Sequence, residues 1–376
     1  MIKPAKILFI SAPIGSGHIR AAEAISKAVT NLRPDITTHL ANVFDFFSQF
    51  WGQALLNTYL RVLGIFPRAY GTMYGWGNTS KLALLGRQVI SRLLANRMYR
   101  YIQEYQPTLI VCTHATPAGL IAYLLKQKRI NIPTIAVVTD FVVHRLWVYD
   151  EIDYYFVASE ELRNDLEQYG VAKTRSCALG IPIDSAFAQP YNKQDIITKL
   201  DFDASVRTVL IMGGGAGVLP MAEIITSLES INTPLQVIAV TGNNKKLFQQ
   251  LQELQTHVTY KLKILAFVNN IHELMAISDV LISKPGGMTS AEALSMGLPM
   301  IIYRPIPGQE EGNTKFLLEK NVALRADSVD DLAVLLKDLL ENKFGNLDKM
   351  MNNARSLGRT QADKEITLKL INDYSL

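Results

Sequence analysis

The chain has 376 residues, 48% of them hydrophobic and 19% charged, with a net charge of +4. At roughly 100–200 residues per domain the length suggests two domains, and so much apolar material with so little charge excludes a disordered chain. The charge is uneven: residues 1–185 carry 19 Lys and Arg against 13 Asp and Glu, the remainder 19 against 21. An anionic partner, a membrane surface or a nucleic acid, is therefore expected at the first half.

The two cysteines, Cys112 and Cys177, stand in no CxxC pair and beside no histidine cluster. That argues against a disulfide framework and a zinc site and suits a reduced, cytoplasmic setting. The opening apolar run Ile7–Ile10 is too short for a signal-peptide core. No uninterrupted apolar stretch approaches the about 18 residues of a transmembrane helix.

In chain order, Lys6–Ser11 reads as a buried strand and His18–Leu32 as a helix, with Ala21, Ala24, Ile25, Ala28 and Val29 at helical spacing. Strands follow at Thr108–Cys112, Thr134–Thr139 and Tyr154–Ala158, with a helix through Leu120–Lys126. This alternation predicts a parallel sheet with helices on both faces. The polar stretch Gly180–Asp203 reads as an interdomain linker. The pattern then restarts with strands at Arg207–Met212, Gln236–Val240, Lys263–Phe267 and Val280–Ser283, and Met300–Tyr303 closes the set. The expected fold class is α/β, two Rossmann-like doubly wound domains facing across a cleft. The expected domains are 1–185 and 186–355, and residues 356–376 form a terminal helix that could pack back on the first domain. Ligands of such sheets bind beyond the carboxyl ends of the strands.

Five constellations fall at such places. Gly15, Ser16, Gly17 and His18 join the first strand to the first helix. The glycines permit a tight turn and close backbone approach. The third position of a full GxGxxG is Arg20, and no acidic residue clearly ends the second strand, although Asn42 or Asp45 could be argued, so a nicotinamide site fits poorly. His18 at a helix N-terminus feels the positive dipole end, which disfavours imidazolium. A neutral imidazole there could take a proton from a hydroxyl, or could simply pack locally. Gly213, Gly214 and Gly215 end the first strand of the second domain, and their amides could cradle a phosphate or merely make a tight turn. Ser283-Lys284-Pro285-Gly286-Gly287-Met288-Thr289 runs from a strand into a helix that Thr289 opens, with Glu292 one turn inside. Amides at Gly287–Thr289 suit a diphosphate and Glu292 suits ribose hydroxyls; alternatively Thr289 and Glu292 form a capping box. Pro305 to Asn313 reads as a stiff polar loop in which Gln309 and Glu310 could meet sugar hydroxyls, or as a solvated turn.

The fifth is Phe44–Gln103, with seven basic residues and one acid, Asp45, among a dozen aromatics. Trp51, Arg61, Arg68, Trp76, Lys81 and Arg87 suit the surface of an anionic bilayer. Single-stranded nucleic acid is a second occupant, and a helical pair with core aromatics a third reading. No HExxH, Walker A or GxSxG occurs. Asp201-Phe202-Asp203 matches a DxD motif but precedes a strand and reads as a solvated turn.

Taken together with Thr139-Asp140-Phe141, His144, Trp147 and Gly180-Ile181-Pro182-Ile183-Asp184, these motifs occur in the order found in the monogalactosyldiacylglycerol synthase and processive diacylglycerol glucosyltransferase family, which the chain resembles over nearly its whole length. It is more distantly similar to the transferase that adds N-acetylglucosamine to lipid-linked peptidoglycan precursors. Ser16 and Ala216 depart from the glycine and glutamate common at those places. The resemblance implies the GT-B fold and an inverting transferase that moves glucose or galactose from a UDP-sugar to diacylglycerol, giving a β-glycolipid. It implies uracil near Phe267 and Val268, diphosphate at Gly287, Met288 and Thr289 with Gly213 and Gly214 nearby, ribose at Glu292, and donor sugar near Gln309 and Glu310. His18 would be the general base, with Asp140 and His144 lining the cleft beside Gly15–Gly17. No metal and no cofactor beyond the co-substrate is expected. The expected partners are UDP-sugar, a lipid acceptor and an anionic membrane, not nucleic acid, and the expected place is the cytoplasmic face of a membrane, held peripherally. Rival readings are a GT-B transferase with another lipid or hydrophobic acceptor, a UDP-sugar epimerase, and a non-catalytic binding protein.

Overall fold

The apolar runs of the sequence become central strands of two parallel sheets. The computed structural model describes residues 5–13, 15–46, 95–215, 217 and 219–376. Two units emerge: Met1–Ser185 with Pro307–Gln309 and Arg359–Leu376, and Ala186–Ile306 with Glu310–Gly358.

In the first unit, β1 (Lys6–Ser11), β2 (Thr37–Asn42), β3 (Leu109–Cys112), β4 (Thr134–Val137), β5 (Tyr154–Val157) and β6 (Ser176–Ala178) form a sheet of order β2-β1-β3-β4-β5-β6. All its pairings are parallel. β1 is almost wholly buried because helices cover both faces, as parallel sheets require. On one face α1 (Gly17–Leu32) sets Ala22, Ile25 and Val29 against Ile7 and Phe9. On the other, α2 (Ala115–Lys126) and a helix through residues 95–105 cover Leu8, Ile10 and Ile110 with Leu120, Ile121, Met98 and Ile102. α3 (Glu160–Gln168) connects β5 to β6.

In the second unit the order is β12-β11-β10-β7-β8-β9, again all parallel. Its strands are β7 (Arg207–Met212), β8 (Leu235–Val240), β9 (Lys261–Leu265), β10 (Val280–Ser283), β11 (Met300–Tyr303) and β12 (Ala323–Ala326). Its helices are α4 (Lys193–Lys199), α5 (Met221–Ser227), α6 (Lys245–Leu254), α7 (Ile271–Ala276), α8 (Gly287–Ser295), α9 (Gln309–Glu319), α10 (Val329–Leu340) and α11 (Asn346–Leu357). Side chains of α5, α6 and α10, such as Ile224, Leu251 and Leu336, pack on Val209, Val237 and Ile282. The chain then gives α12 (Ala362–Asp373), which packs on α1 and buries Ile366 and Leu370 beside Val29.

Several sequence expectations need correction. Met300–Tyr303 does not close the second sheet, since β12 follows it at the edge. The segment read as a linker carries a 3-10 turn, Ser185–Ala188, and α4, which packs on α7. Asp201 does lie in an exposed turn, paired with Lys261. The aromatics at the described ends of the basic segment are core rather than interface. Phe46 is buried, and Tyr99 and Tyr101 pack on the cluster under the first sheet. Trp51, Arg61, Arg68, Trp76, Lys81 and Arg87 lie outside the described residues.

Candidate functional site

In each sheet the strand order reverses direction beside the first strand. β2 lies on one side of β1 and β3 on the other; β8 lies on one side of β7 and β10 on the other. Such switch points open a crevice at the carboxyl edge of a doubly wound sheet.

At the first switch point the polar residues come from three neighbouring strands. Gly15 has φ +80, a conformation glycine adopts without steric cost, and no atom lies within 4 Å of where its Cβ would stand. Ser16 is the N-cap of α1 and makes no side-chain cap bond, so the helix's first amides are not closed off by it. Gly17 begins the helix, and His18 follows at 8% exposure. The His18 Nδ1 lies 2.5 Å from the hydroxyl of Thr139, which follows β4. The Thr139 hydroxyl also donates to the Thr113 carbonyl, beyond β3, at 3.4 Å. The ring of His114 meets that of His18 edge to face, with centroids 4.6 Å apart and planes at 86°.

All three histidines here are held neutral near pH 7. Burial lowers His18 below its ordinary value, against a partial pull upward from the buried Asp140 carboxylate and the Thr113 carbonyl. Burial and the neighbouring His18 and His144 hold His114 well below it. Burial, with His18, brings His144 down to about 4. His114 accepts at Nδ1 from the Thr116 amide, 3.0 Å, and His144 accepts at Nδ1 from the Leu146 amide, 3.2 Å. Both neutral rings therefore carry their proton on Nε2, as the hydrogen-bond network assigns it. The sequence pointed to Gly15–His18, Asp140 and His144, and the structure gathers His18, Asp140 and His144 into one electrostatic group. Thr139 stood in the motif Thr139-Asp140-Phe141 but was given no role, and His114 was not singled out. The available signal for both was their place just after a strand at the edge where ligands bind. The hydroxyls of Ser11 and Thr113, buried at the ends of β1 and β3, have no protein partner among the described residues.

At the second switch point Gly213, Gly214 and Gly215 follow β7. Gly214 has φ +70, and no atom lies within 4 Å of its absent Cβ. Gly217, at φ +59, would bring a Cβ to 2.3 Å from the Thr241 carbonyl, so the turns after β7 and β8 interlock through glycine. The Ser283 hydroxyl donates to the Met212 carbonyl at 2.9 Å and ties the end of β10 to β7. Helix α8 then starts at Gly287, with Gly286 as N-cap, and not at Thr289. The capping-box alternative fails with it: Glu292 lies inside the helix at 0% exposure, which a surface capping residue would not. The first amides of α8 have no side-chain cap, and the place of a Cβ on Gly286 is open. Met288 is buried and Thr289 half-buried.

The stiff loop after β11 is shorter than the sequence suggests, because α9 already begins at Gln309. The Glu310 carboxylate accepts from the Ile306 amide and closes the entry to that helix. The fully buried Asn313 amide donates to the Pro285 carbonyl at 2.9 Å and so braces the glycine turn before α8. Lys284 is half-buried there. Burial lowers its ammonium, while the Glu310 carboxylate opposes that shift and Arg304 adds to it. Beyond β9, Phe267 stands 57% exposed, with Val268 half-buried beside it. Among the described residues no three His, Cys, Asp or Glu side chains are grouped to hold a metal ion. No described helix is long and apolar enough to cross a membrane.

Two doubly wound parallel sheets, each with a glycine turn at its switch point, are the architecture of a GT-B glycosyltransferase. A solved structure of MurG from Acinetobacter baumannii shares this fold at TM-score 0.64 and 14% identity, over 98% of this chain and all of that one. Residues 18–183 match the family model for monogalactosyldiacylglycerol (MGDG) synthase, and residues 208–368 that of the glycosyltransferase family 28 C-terminal domain. A processive diacylglycerol beta-glucosyltransferase of Bacillus licheniformis is 27% identical over 97% of this chain and 94% of its own length. The enzyme of that name from Bacillus cereus is 32% identical over 87% of this chain and 84% of its own. The chain belongs to the family of these processive diacylglycerol beta-glucosyltransferases.

Proposed function

We propose that this protein transfers a hexosyl group from a UDP-sugar to diacylglycerol with inversion, forming a β-linked glycolipid. The observation that carries this reading is His18, a buried and neutral imidazole at the switch point of the first sheet, in a chain of this family. As the acceptor oxygen bonds to the anomeric carbon, His18 takes its proton. The bond from that carbon to the diphosphate breaks, and UDP leaves with the electron pair. Asp140 favours the imidazolium that forms.

The second unit suits the donor. From β9 to β11 the sheet order covers four inter-strand steps, about 19 Å at ~4.8 Å each, which fits an extended UDP-sugar. On this reading the exposed Phe267 and Val268 take the uracil and Glu292 the ribose. Gly213, Gly214 and the amides of Gly287, Met288 and Thr289 take the diphosphate, with Gln309 and Glu310 at the sugar. The uncapped amides of α8 and the Lys284 ammonium would bear the charge of the leaving diphosphate without a metal.

The test is purified protein with EDTA, labelled UDP-glucose or UDP-galactose, and vesicles containing diacylglycerol, followed by separation of the lipid phase. Label in a new glycolipid is the expected result. Label that stays in the aqueous phase as an interconverted UDP-sugar would replace the reading with an epimerase. Peripheral docking on an anionic membrane at the cytoplasmic face belongs to the same proposal. Flotation with anionic vesicles at low salt, lost at high salt, is expected.

A further inference from the structure

The imidazole of His18 has two nitrogens, and only the one without a proton can act as a base. The surroundings of Nδ1 decide which that is. The Thr139 hydroxyl, 2.5 Å away, has one proton to give, and the Thr113 carbonyl 3.4 Å from it is an acceptor only. The Thr113 carbonyl bonds the His18 ring as well; with the Thr139 proton turned to that carbonyl, the threonine oxygen offers Nδ1 a lone pair and Nδ1 is the donor. Thr113 and Thr139 are buried, at 0% and 3% exposure, so water does not compete for these bonds. The perpendicular ring of His114, fixed by the Thr116 amide, holds the plane of His18.

We propose that Thr139 is the positioning residue of His18: its hydroxyl, turned by the Thr113 carbonyl, keeps the proton on Nδ1 and leaves the Nε2 lone pair to take the acceptor proton. A neutral hydroxyl and a backbone carbonyl thus do the orienting that a carboxylate does in a Ser-His-Asp triad. Asp140 supplies the favourable charge. The inference rests on His18 being the base.

The experiment uses the full chain and two isosteric or nearly isosteric variants. Thr139→Val removes the hydroxyl and keeps the shape, and Thr139→Ser keeps the hydroxyl. Two-bond ring correlations in protein labelled with 15N-histidine report the tautomer, with His18 assigned by its loss in His18→Gln. The expected result is a proton on Nδ1 in the wild type and in Thr139→Ser, and a mixture of tautomers in Thr139→Val. Thr139→Val should lower kcat for glycolipid formation by about tenfold or more with the KM for UDP-sugar within twofold, the loss of one oriented hydrogen bond. Thr139→Ser should stay within threefold of wild type. A wild-type His18 protonated on Nε2, or a Thr139→Val enzyme with unchanged kcat, would overturn the proposal. The tautomer is read without any substrate, so failure of transfer to diacylglycerol would strike the proposed reaction and leave this result standing.

Discussion

His18 shows how one side chain links stability to activity. Its folded-state pKa lies below the ordinary value of 6.5, as do those of His114 and His144. As pH falls below about 6.5 the unfolded chain takes up these protons first, so the folded state loses stability; above that pH the three groups contribute no slope. The melting temperature should therefore drop between pH 7 and pH 4, and His144→Gln should flatten that drop across the window from about 6.5 down to about 4, where the unfolded but not the folded chain carries its proton. Activity should show an acid limb below pH 6.5 as His18 is protonated, and His18→Ala should cut turnover by roughly 10²–10⁴-fold. A pH–rate profile of kcat/KM with no acid limb, or near-wild-type turnover in His18→Ala, would remove His18 as the base. Glu292 makes the matching case in the second unit. A carboxylate at 0% exposure inside a helix is costly to bury, which argues for a binding role rather than a solvated face. Glu292→Gln should raise the KM for UDP-sugar roughly tenfold or more, since hydrogen bonds to a charged acceptor contribute about 1.5–3 kcal/mol.

The glycine turns carry the argument at the level of elements. Alanine at Gly15 or Gly217 would have to adopt a left-handed backbone, costing about 1–2 kcal/mol. At Gly15 nothing stands near the added methyl, whereas at Gly217 it would meet the Thr241 carbonyl at 2.3 Å and push apart the turns after β7 and β8. Gly217→Ala should therefore lower the urea midpoint by clearly more than Gly15→Ala and weaken UDP binding in calorimetry, while Gly15→Ala leaves UDP binding unchanged. The same elements show what a sequence can disclose. β1, β7 and β10 were legible to the residue because both faces are covered and an unbroken run of apolar residues fills each strand between or beside its polar ends. β2, β6 and β12 escaped, and all three are edge strands. Thr37–Asn42 is mostly polar with only Ala41 buried, and Ser176–Ala178 has only three residues, so neither leaves an apolar run to read. β9 was read two residues late because its first position, Lys261, is exposed, and the exposed Phe267 looked like strand. The site followed the same rule: glycine turns announce themselves along the chain, whereas the meeting of His18 with Thr139 joins residues 121 apart through the order of β1, β3 and β4.

For the whole molecule, the return of the chain after Gly358 is the feature with the largest consequence. The last helix, α12, belongs to the first unit although it follows the second in sequence. It buries Ile366 and Leu370 at 0% and 1% exposure against α1. At ~1.5–3 kcal/mol for each fully buried side chain, about 3–6 kcal/mol of the first unit's stability comes from these two residues. Gly180, at φ +98, accommodates the return: a Cβ there would meet that of Arg359 at 2.5 Å. Residues 186–376 contain no tryptophan, and Trp147 is buried in the first unit, so its emission reports that unit. A chain ended after Gly358 should thus lose most of its urea midpoint as followed by tryptophan fluorescence. UDP binding, measured by calorimetry at low urea, should persist, because the residues assigned to it and the core of β7 to β12 remain. Loss of both together would mean that α12 supports the second unit as well. An unchanged fluorescence midpoint would mean that the contact of α12 with α1 contributes little to holding the first sheet together.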